Sequence, residues 1–543
     1  MIFSRQSRSL SILSSVLLFG VVVLALPGCG KGGSGGGSTS VAGGNILRYP
    51  LQTEPTNLDP ARVEDGDTID LIQNIFEGLV KWSDENTIVP NIAEKWDISS
   101  DGKVYTFHLH DNVKFHNGRI LVAKDFVYSI TRPLLPDTKS GTAMTYLNDI
   151  LGAKDVSDGK TTELKGVKAL DDKTLQITLD NRRPYFLGKM TMPTSYAVCK
   201  EAIEANGNKL DEKAMIGTGP FKVDSYVSGS VVKLSGFKQY HDGAPILDGI
   251  ERPIMKDSFT RQTAYESGAL DYTDVQRADV DRIQKDPKLS KELKVLPRAN
   301  VWYLAMSQQA FEPFKKKEVR QAFAYAINKD ELIRLVYKGT ATRANGIVPP
   351  GVPGANEKFQ GLDYNVQKAQ ELMAKAGYPG GKGFPKLTIT YRQGYQYVAD
   401  GVQQIRSDLK KNLGIDVDTK ESEWAKMLDD RKKGTLECFH IRWSADYLDP
   451  QDFLSMMLRT GVEENKIGYS NPKFDALCDA ADVEPNADKR KAMYIEAEKI
   501  VVEDAPWVTL FYLPDVELQK PYVTGLRASL FGHLPHTKAS VKH

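Results

Sequence analysis

The run Arg442-Trp443-Ser444-Ala445-Asp446-Tyr447-Leu448-Asp449-Pro450 sets two carboxylates among aromatic and basic side chains, directly after the β-like stretch Cys438-Phe439-His440-Ile441. A carboxylate held beside Trp443 and Tyr447 in poorly solvated surroundings needs a positive partner, and a ligand ammonium group would serve. The same residues admit a plainer role. Asp and Pro suit helix entrances, so Asp446 or Asp449 is also placed to cap a helix starting near Asp452.

Other chemistry-bearing patterns are weaker. Gly32-Gly33-Ser34-Gly35-Gly36 fits the G-x-S-x-G hydrolase pattern, but a Gly/Ser tract cannot build the strand-to-helix elbow that the pattern requires. Ser407-Asp408-Leu409-Lys410 fits S-x-x-K without its partner motifs, inside an amphipathic helical pattern. Gly217-Thr218-Gly219-Pro220-Phe221 lacks the Lys-Ser or Lys-Thr pair of a phosphate loop and reads as a tight turn before a strand. His108 and His110 share one strand face, with His116 nearby, yet no acidic or Cys ligand stands at a diagnostic spacing, so they read as a solvated sheet face. No catalytic set, metal site or cofactor is expected.

A chain of 543 residues exceeds what one core holds, so two or three lobes are expected. Lys and Arg total 71 against 70 for Asp and Glu, a formal charge of +1, which argues against nucleic acid as a partner. Arg5 and Arg8 precede an apolar run from Leu10 to Leu26, the pattern of an export signal. It ends in Leu26-Pro27-Gly28-Cys29, which resembles the lipobox of bacterial lipoproteins and implies cleavage before Cys29 and a lipid on its sulfur. The uncharged run is short for a membrane-spanning anchor. Gly30 to Gly44 is a Gly/Ser-rich tether, a flexible coil of about 20 Å at this length. Beyond Cys29 three cysteines remain, Cys199, Cys438 and Cys478, so at least one stays free; whether Cys438 and Cys478 pair is open on spacing alone.

Periodicity supplies the elements that must position the acidic run. A strand from Ile46 leads to a helix over 68–79, and short alternating stretches between Pro90 and Asp180, with a helix over 122–131, read as an inserted α+β lobe. Val301 to Met306 reads as a buried strand and Lys317 to Val336 as one long helix. Strand 387–391, helix 398–411, strand 415–419, helix 423–432 and strand 436–441 form a β-α-β-α-β series, hence a parallel α/β lobe, with Asp446 just past the carboxyl end of its last strand, where such sheets bind ligands. The run 507–513 reads as a strand returning to an earlier lobe.

Trp443 to Pro450 resembles the W-x-A-D-Y-x-[DE]-P stretch of bacterial oligopeptide- and dipeptide-binding proteins, the peptide/nickel-type solute receptors of ABC importers. Further motifs resemble the same family in order: Glu54 with Leu58-Asp59-Pro60 and Phe76-Glu77-Gly78-Leu79, then Asn91 to Trp96, Val113 to Gly118, Gly217 to Phe221, and Val319 to Lys329. The resemblance implies an α/β, periplasmic-binding-protein-like, two-lobed hinge (Venus flytrap) fold with an additional inserted α+β lobe. Residues 1–28 would be the lipoprotein signal peptide and 29–44 the lipidated Cys and tether. Lobe I would comprise 45–75, 184–276 and 506–543, lobe II 76–183, and lobe III 277–505.

The ligand-binding set it implies is Asp446, receiving a peptide ammonium, with Trp443, Ala445, Tyr447, Trp424, Arg431, Glu54, His440 and Arg442. His440 stands where the oligopeptide receptor has a cleft arginine, and Arg442 lies two residues on. Ser444 occupies the place of a disulfide cysteine found in some relatives. The expected function is an extracytoplasmic receptor, lipid-anchored through Cys29 and monomeric, that captures short peptides and delivers them to the permease subunits of an ABC importer. The same fold binding nickel complexes, sugars or another solute stays open, as, less favoured, does a hydrolytic enzyme.

Overall fold

Strand Asn300–Met306 is buried at all seven positions, because it runs through the middle of a six-stranded sheet covered on both faces. The order is Thr342–Arg343, Trp507–Tyr512, Asn300–Met306, Cys438–Ser444, Leu387–Arg392, Val417–Ser422. This computed structural model describes residues 44–526, 529–532 and 535–542; the export segment, Cys29 and most of the tether lie outside the described residues.

The β-α-β-α-β series folds with its three strands parallel, Cys438–Ser444 and Val417–Ser422 flanking Leu387–Arg392. The sheet is mixed rather than all-parallel, since Asn300–Met306 runs antiparallel to both of its neighbours. Helices Gln396–Leu413 and Trp424–Lys432 make the crossovers. The expected long helix over 317–336 is two, Lys317–Ala326 and Lys329–Leu335. Between them the Asn328 side chain accepts from Glu331 N at 3.1 Å, while its own N–H donates to Asp408 at 3.0 Å. An Asn able to cap offers the backbone an alternative to a continued helix.

A four-stranded sheet orders Ile46–Arg48, Gly249–Pro253, Val231–Gly236 and Phe221–Val227, with the first pair parallel. Its nearby helix is Gly66–Ile72, capped by Asp65 and shorter than the expected 68–79. The carbonyls of Asn74 and Ile75 accept from Phe221 N (3.0 Å) and Gly219 N (2.9 Å), so they are not left for helical i+4 donors. This is also what the Gly-Thr-Gly turn is for: a Cβ on Gly217 would lie 1.9 Å from the Ile75 oxygen.

The inserted body is an antiparallel sheet, Ala93–Ile98, Val104–Leu109, Thr174–Thr178 and Val167–Ala169, with helix Ala123–Thr131. Tyr105, Phe107 and Leu109 point into its core, so the histidines of the next register face outward. His108 meets Asp97 at 2.9 Å, His110 lies 3.9 Å from Glu94, and His116 is tied to the Gly219 carbonyl at 3.0 Å.

A three-stranded sheet places Asp515–Gln519 between Tyr272–Asp274 and Leu293–Leu296. This corrects the expectation for the tail. Trp507–Tyr512 stays in the six-stranded sheet beside Asn300–Met306, and only the next strand leaves it. The chain thus passes between these two sheets twice, once before Asn300 and once at Leu513-Pro514. Asn300 clamps the crossings together, its amide donating to Leu513 O at 2.8 Å and accepting from Leu513 N at 3.0 Å.

Cys199, Cys438 and Cys478 are all buried and free. Cys438 and Cys478 belong to different hydrophobic clusters, which leaves the open pairing unmade. No helix among the described residues is long and apolar enough to cross a membrane.

Candidate ligand-binding site

Two cavities of about 280 and 150 Å³ meet at the carboxyl end of Cys438–Ser444 and share Asp67, Arg442, Ser444 and Asp446 as walls. Asp446 follows the strand by two residues. Its backbone N–H donates to Asp452 at 3.0 Å, which fixes the turn, and its carboxylate accepts from the Tyr146 hydroxyl at 2.5 Å. Among the described residues no cation pairs with it. Burial raises its pKa to about 7; the Tyr146 bond opposes that shift and repulsion from Glu464 adds to it. Asp452, fully buried beneath it, is pushed well above the carboxylate range by burial and by Asp446 itself. The helix-cap role belongs to Asp449 alone, which accepts from Gln451 N at 2.9 Å and is gripped by Arg490 through two bonds of 2.6 Å.

The structure brings together most of the expected residues. Ala445 lines the larger cavity, Trp443, Trp424 and Arg431 the smaller, and Arg442 both. Arg431 is already paired, with Glu464 at 2.8 Å, so it furnishes a wall rather than a free charge. Trp424 stacks under the Arg392 guanidinium, 4.4 Å from its ring centroid.

Three expected residues stand elsewhere. Tyr447 points away from Asp446 into the core, is 1% exposed, and donates its hydroxyl to Gln451. His440 lies on the Arg442 face of its strand but one step deeper, 5.4 Å from Trp302, which covers it; burial holds its pKa near about 4, and both ring nitrogens lack partners among the described residues. Glu54 anchors the Phe221–Val227/Val231–Gly236 hairpin instead, accepting from Tyr226 OH, from Ser228 Oγ at 2.9 Å and from Gly229 N at 3.0 Å.

Sequence reasoning missed Tyr146, Arg392 and Asp67. Tyr146 ends a four-residue helix in the inserted body, where no local pattern marks it. Arg392 reaches across the cavities from the end of its strand to Asp67 at 2.7 Å, and Tyr395 donates to Gln52 beside it. These contacts join the six-stranded sheet's side of the cavities to the Ile46–Ile72 side.

Three comparisons bear on this geometry. The periplasmic oligopeptide-binding protein OppA of Salmonella typhimurium is 32% identical over 488 residues, covering 87% of this chain and 88% of its own. Heme-binding protein A of Haemophilus influenzae is 29% identical over 548 residues, covering 96% and 98%. The Escherichia coli murein tripeptide-binding protein MppA, 28% identical, superposes with a TM-score of 0.85 over 92% of this chain and 99% of its own. Its unliganded open form gives 0.68, over 92% and 98%, so the arrangement here departs further from that open form. With residues 87–465 matching the family described as "Bacterial extracellular solute-binding proteins, family 5 Middle", the chain belongs to that family of extracellular solute-binding proteins.

Proposed function

We propose that the protein is the extracytoplasmic receptor of an ABC importer, taking short peptides into the cavities beside Asp446 and passing them to permease subunits without chemically changing them. The observation that carries this reading is Asp446: a half-buried carboxylate at a strand end, facing a cavity, with a neutral tyrosine and, among the described residues, no cation as its partner. An ammonium group there would supply the missing charge, and the relatives named for oligopeptides and a murein tripeptide support a peptide as its source. Backbone hydrogen bonding to an extended ligand then gives affinity with little dependence on side chains.

The lobes we propose follow the expected ranges, with two changes. Strand Leu293–Leu296 goes with the first lobe and Trp507–Tyr512 with the third, and the crossings clamped by Asn300 serve as the hinge. The chain acts as a monomer tethered by a lipid on Cys29.

Calorimetry at pH 8 with free and Nα-acetylated di- to tetrapeptides tests the reading. Acetylation, and separately Asp446→Asn, should each weaken binding a hundredfold or more, since unpairing a buried charge costs ~3–5 kcal/mol. Equal binding of free and acetylated peptides would remove Asp446 from the ligand, and binding of heme or a sugar with no peptide binding would remove peptides altogether.

A further inference from the structure

One wall of the larger cavity is a seam between two short pieces of chain. Leu530, Phe531 and Gly532 of the carboxyl-terminal segment line it together with Trp82, which ends the first strand of the hairpin Val80–Trp82/Ile88–Pro90 leading into the inserted body. Leu530, Phe531 and Trp82 are only half-buried, and the hairpin tip at Asp84 and Glu85 is exposed. The wall therefore lies at the surface of the molecule and is thin.

Residues 529–532 cross it as a strap. The Arg298 guanidinium donates to the Ser529 carbonyl. Leu530 is held from both sides, its N–H donating to Asn86 Oδ1 at 3.1 Å and its carbonyl accepting from Ala299 N at 3.0 Å. It also packs on Gly351, where a Cβ would lie 2.9 Å from Leu530 Cδ1. Phe531 is held differently. Its N–H bonds within the strap, to Ser529 Oγ at 3.0 Å, and its ring stacks on Trp82 with centroids 4.5 Å apart and planes at 30°. Trp82 is braced behind by Nε1–H to Thr191 Oγ1 at 3.0 Å. Leu530 is thus the fastened end of the strap, and the Phe531 ring is the part that meets the facing piece through a stack.

We propose that this strap is a gate, with Phe531 on Trp82 as its latch, and that the gate sets the greatest ligand length the site accepts. The inference rests on the reading of the cavity as a peptide site. A ligand that outgrows the cavity has to part the two rings, a cost that a ligand contained within it does not meet, and discrimination by length follows from that difference. An extended ligand grows by about 3.3 Å with each residue, so the cost sets in over one or two residues rather than gradually. The bond from Ala299, next to the Asn300 clamp, fastens the strap to the crossings proposed as the hinge.

The test uses peptides of two to eight residues with alternating Ala and Lys, titrated by calorimetry into the unaltered protein and into Phe531→Ala, Trp82→Ala, the double variant and Phe531→Tyr, with circular dichroism confirming that each is folded. In the unaltered protein affinity should drop at least tenfold at one step of the series. In Phe531→Ala and Trp82→Ala that step should move at least one residue longer, while peptides below it change less than threefold. The double variant should move it no further than either single one, because the latch is already open, and Phe531→Tyr, which keeps the stack, should leave it in place. Should Trp82→Ala not fold, Phe531→Ala decides the matter alone. A step that stays put in the folded variants, or a uniform weakening at every length, overturns the gate and leaves the peptide reading standing. Binding to the unaltered protein without any step at all overturns it too. If no peptide binds, the peptide reading fails and the gate fails with it.

Discussion

The Tyr146 hydroxyl donates to the Asp446 carboxylate at 2.5 Å, joining residues 300 positions apart. Among the described residues it is the one bond on that carboxylate that favours its charged form against burial, which raises the pKa to about 7. Ammonium binding needs both the ionised carboxylate and a protonated amine, which loses its own proton at about pH 8, so peptide affinity should be greatest between about pH 7 and 8, fall about tenfold per pH unit below 7 and decline again on the alkaline side. Tyr146→Phe should move the start of that fall to higher pH, and Asp446→Asn should abolish it. A profile that stays level from pH 8 to 5.5 would falsify the assignment.

The same shift has a stability consequence. The folded pKa of Asp446 lies above its unfolded value, so the stability this group contributes is present below about pH 4 and is lost as pH rises through about 7. Thermal melting of the unliganded Asp446→Asn variant should therefore exceed that of the unaltered protein at pH 8, and the two should converge near pH 4. A variant that melts lower at pH 8 would show the carboxylate to be a structural cap.

The Arg392–Asp67 pair, with side chains 13% and 22% exposed, bridges the cavities at 2.7 Å. Arg392→Ala should release the closed form, seen as a larger radius of gyration in small-angle scattering of the liganded protein and as peptide affinity weakened about tenfold. A double-mutant cycle with Asp67→Asn should give a coupling of ~1–3 kcal/mol. Additive effects of the two substitutions would mean that the bridge does not hold the closed form.

What the chain discloses before folding depends on how far apart the cooperating residues lie. The place of Asp446 just past a strand end was legible because strand, turn and motif sit within nine residues. Its partner Tyr146 was not, because nothing near Tyr146 records a contact made 300 residues later. The inserted sheet was legible from alternation, whereas the break at Ile327-Asn328 was hidden because apolar periodicity runs on through it and the deciding contact, from Asp408, is distant. Trp507–Tyr512 was recognisable as a strand, but strand pairing is a property of the sheet and not of the segment. Glu54 was drawn into the ligand set by motif alone, and its real partners lie some 170 residues downstream.

Glu54 gives a clean control. Its carboxylate is lowered in pKa by bonds from Tyr226, Ser228 and Gly229 despite partial burial, so Glu54→Gln should weaken the hairpin anchor by about 1 kcal/mol at pH 7. Denaturant melts should detect that loss. Peptide affinity should change less than twofold, and a tenfold loss would return Glu54 to the ligand site.

Cys29, followed by a Gly/Ser tract, is expected to carry the lipid. Cys29→Ala should abolish metabolic labelling with a fatty acid and release the protein from the membrane fraction. Labelling that persists in the variant would place the anchor elsewhere.

Two of the last strands to leave the ribosome are interior ones. Trp507–Tyr512 lies second in the six-stranded sheet and Asp515–Gln519 lies in the middle of the three-stranded sheet. Until about residue 519 is synthesised, each of these sheets lacks an inner member, and its neighbours have no partner across the gap. Topology of this kind delays cooperative folding until synthesis is nearly complete, because the pairings that close both sheets span hundreds of residues. With the export signal expected over residues 1–28, such a delay would keep the polypeptide threadable until translocation, and the carboxyl-terminal segment would serve as the timer of folding.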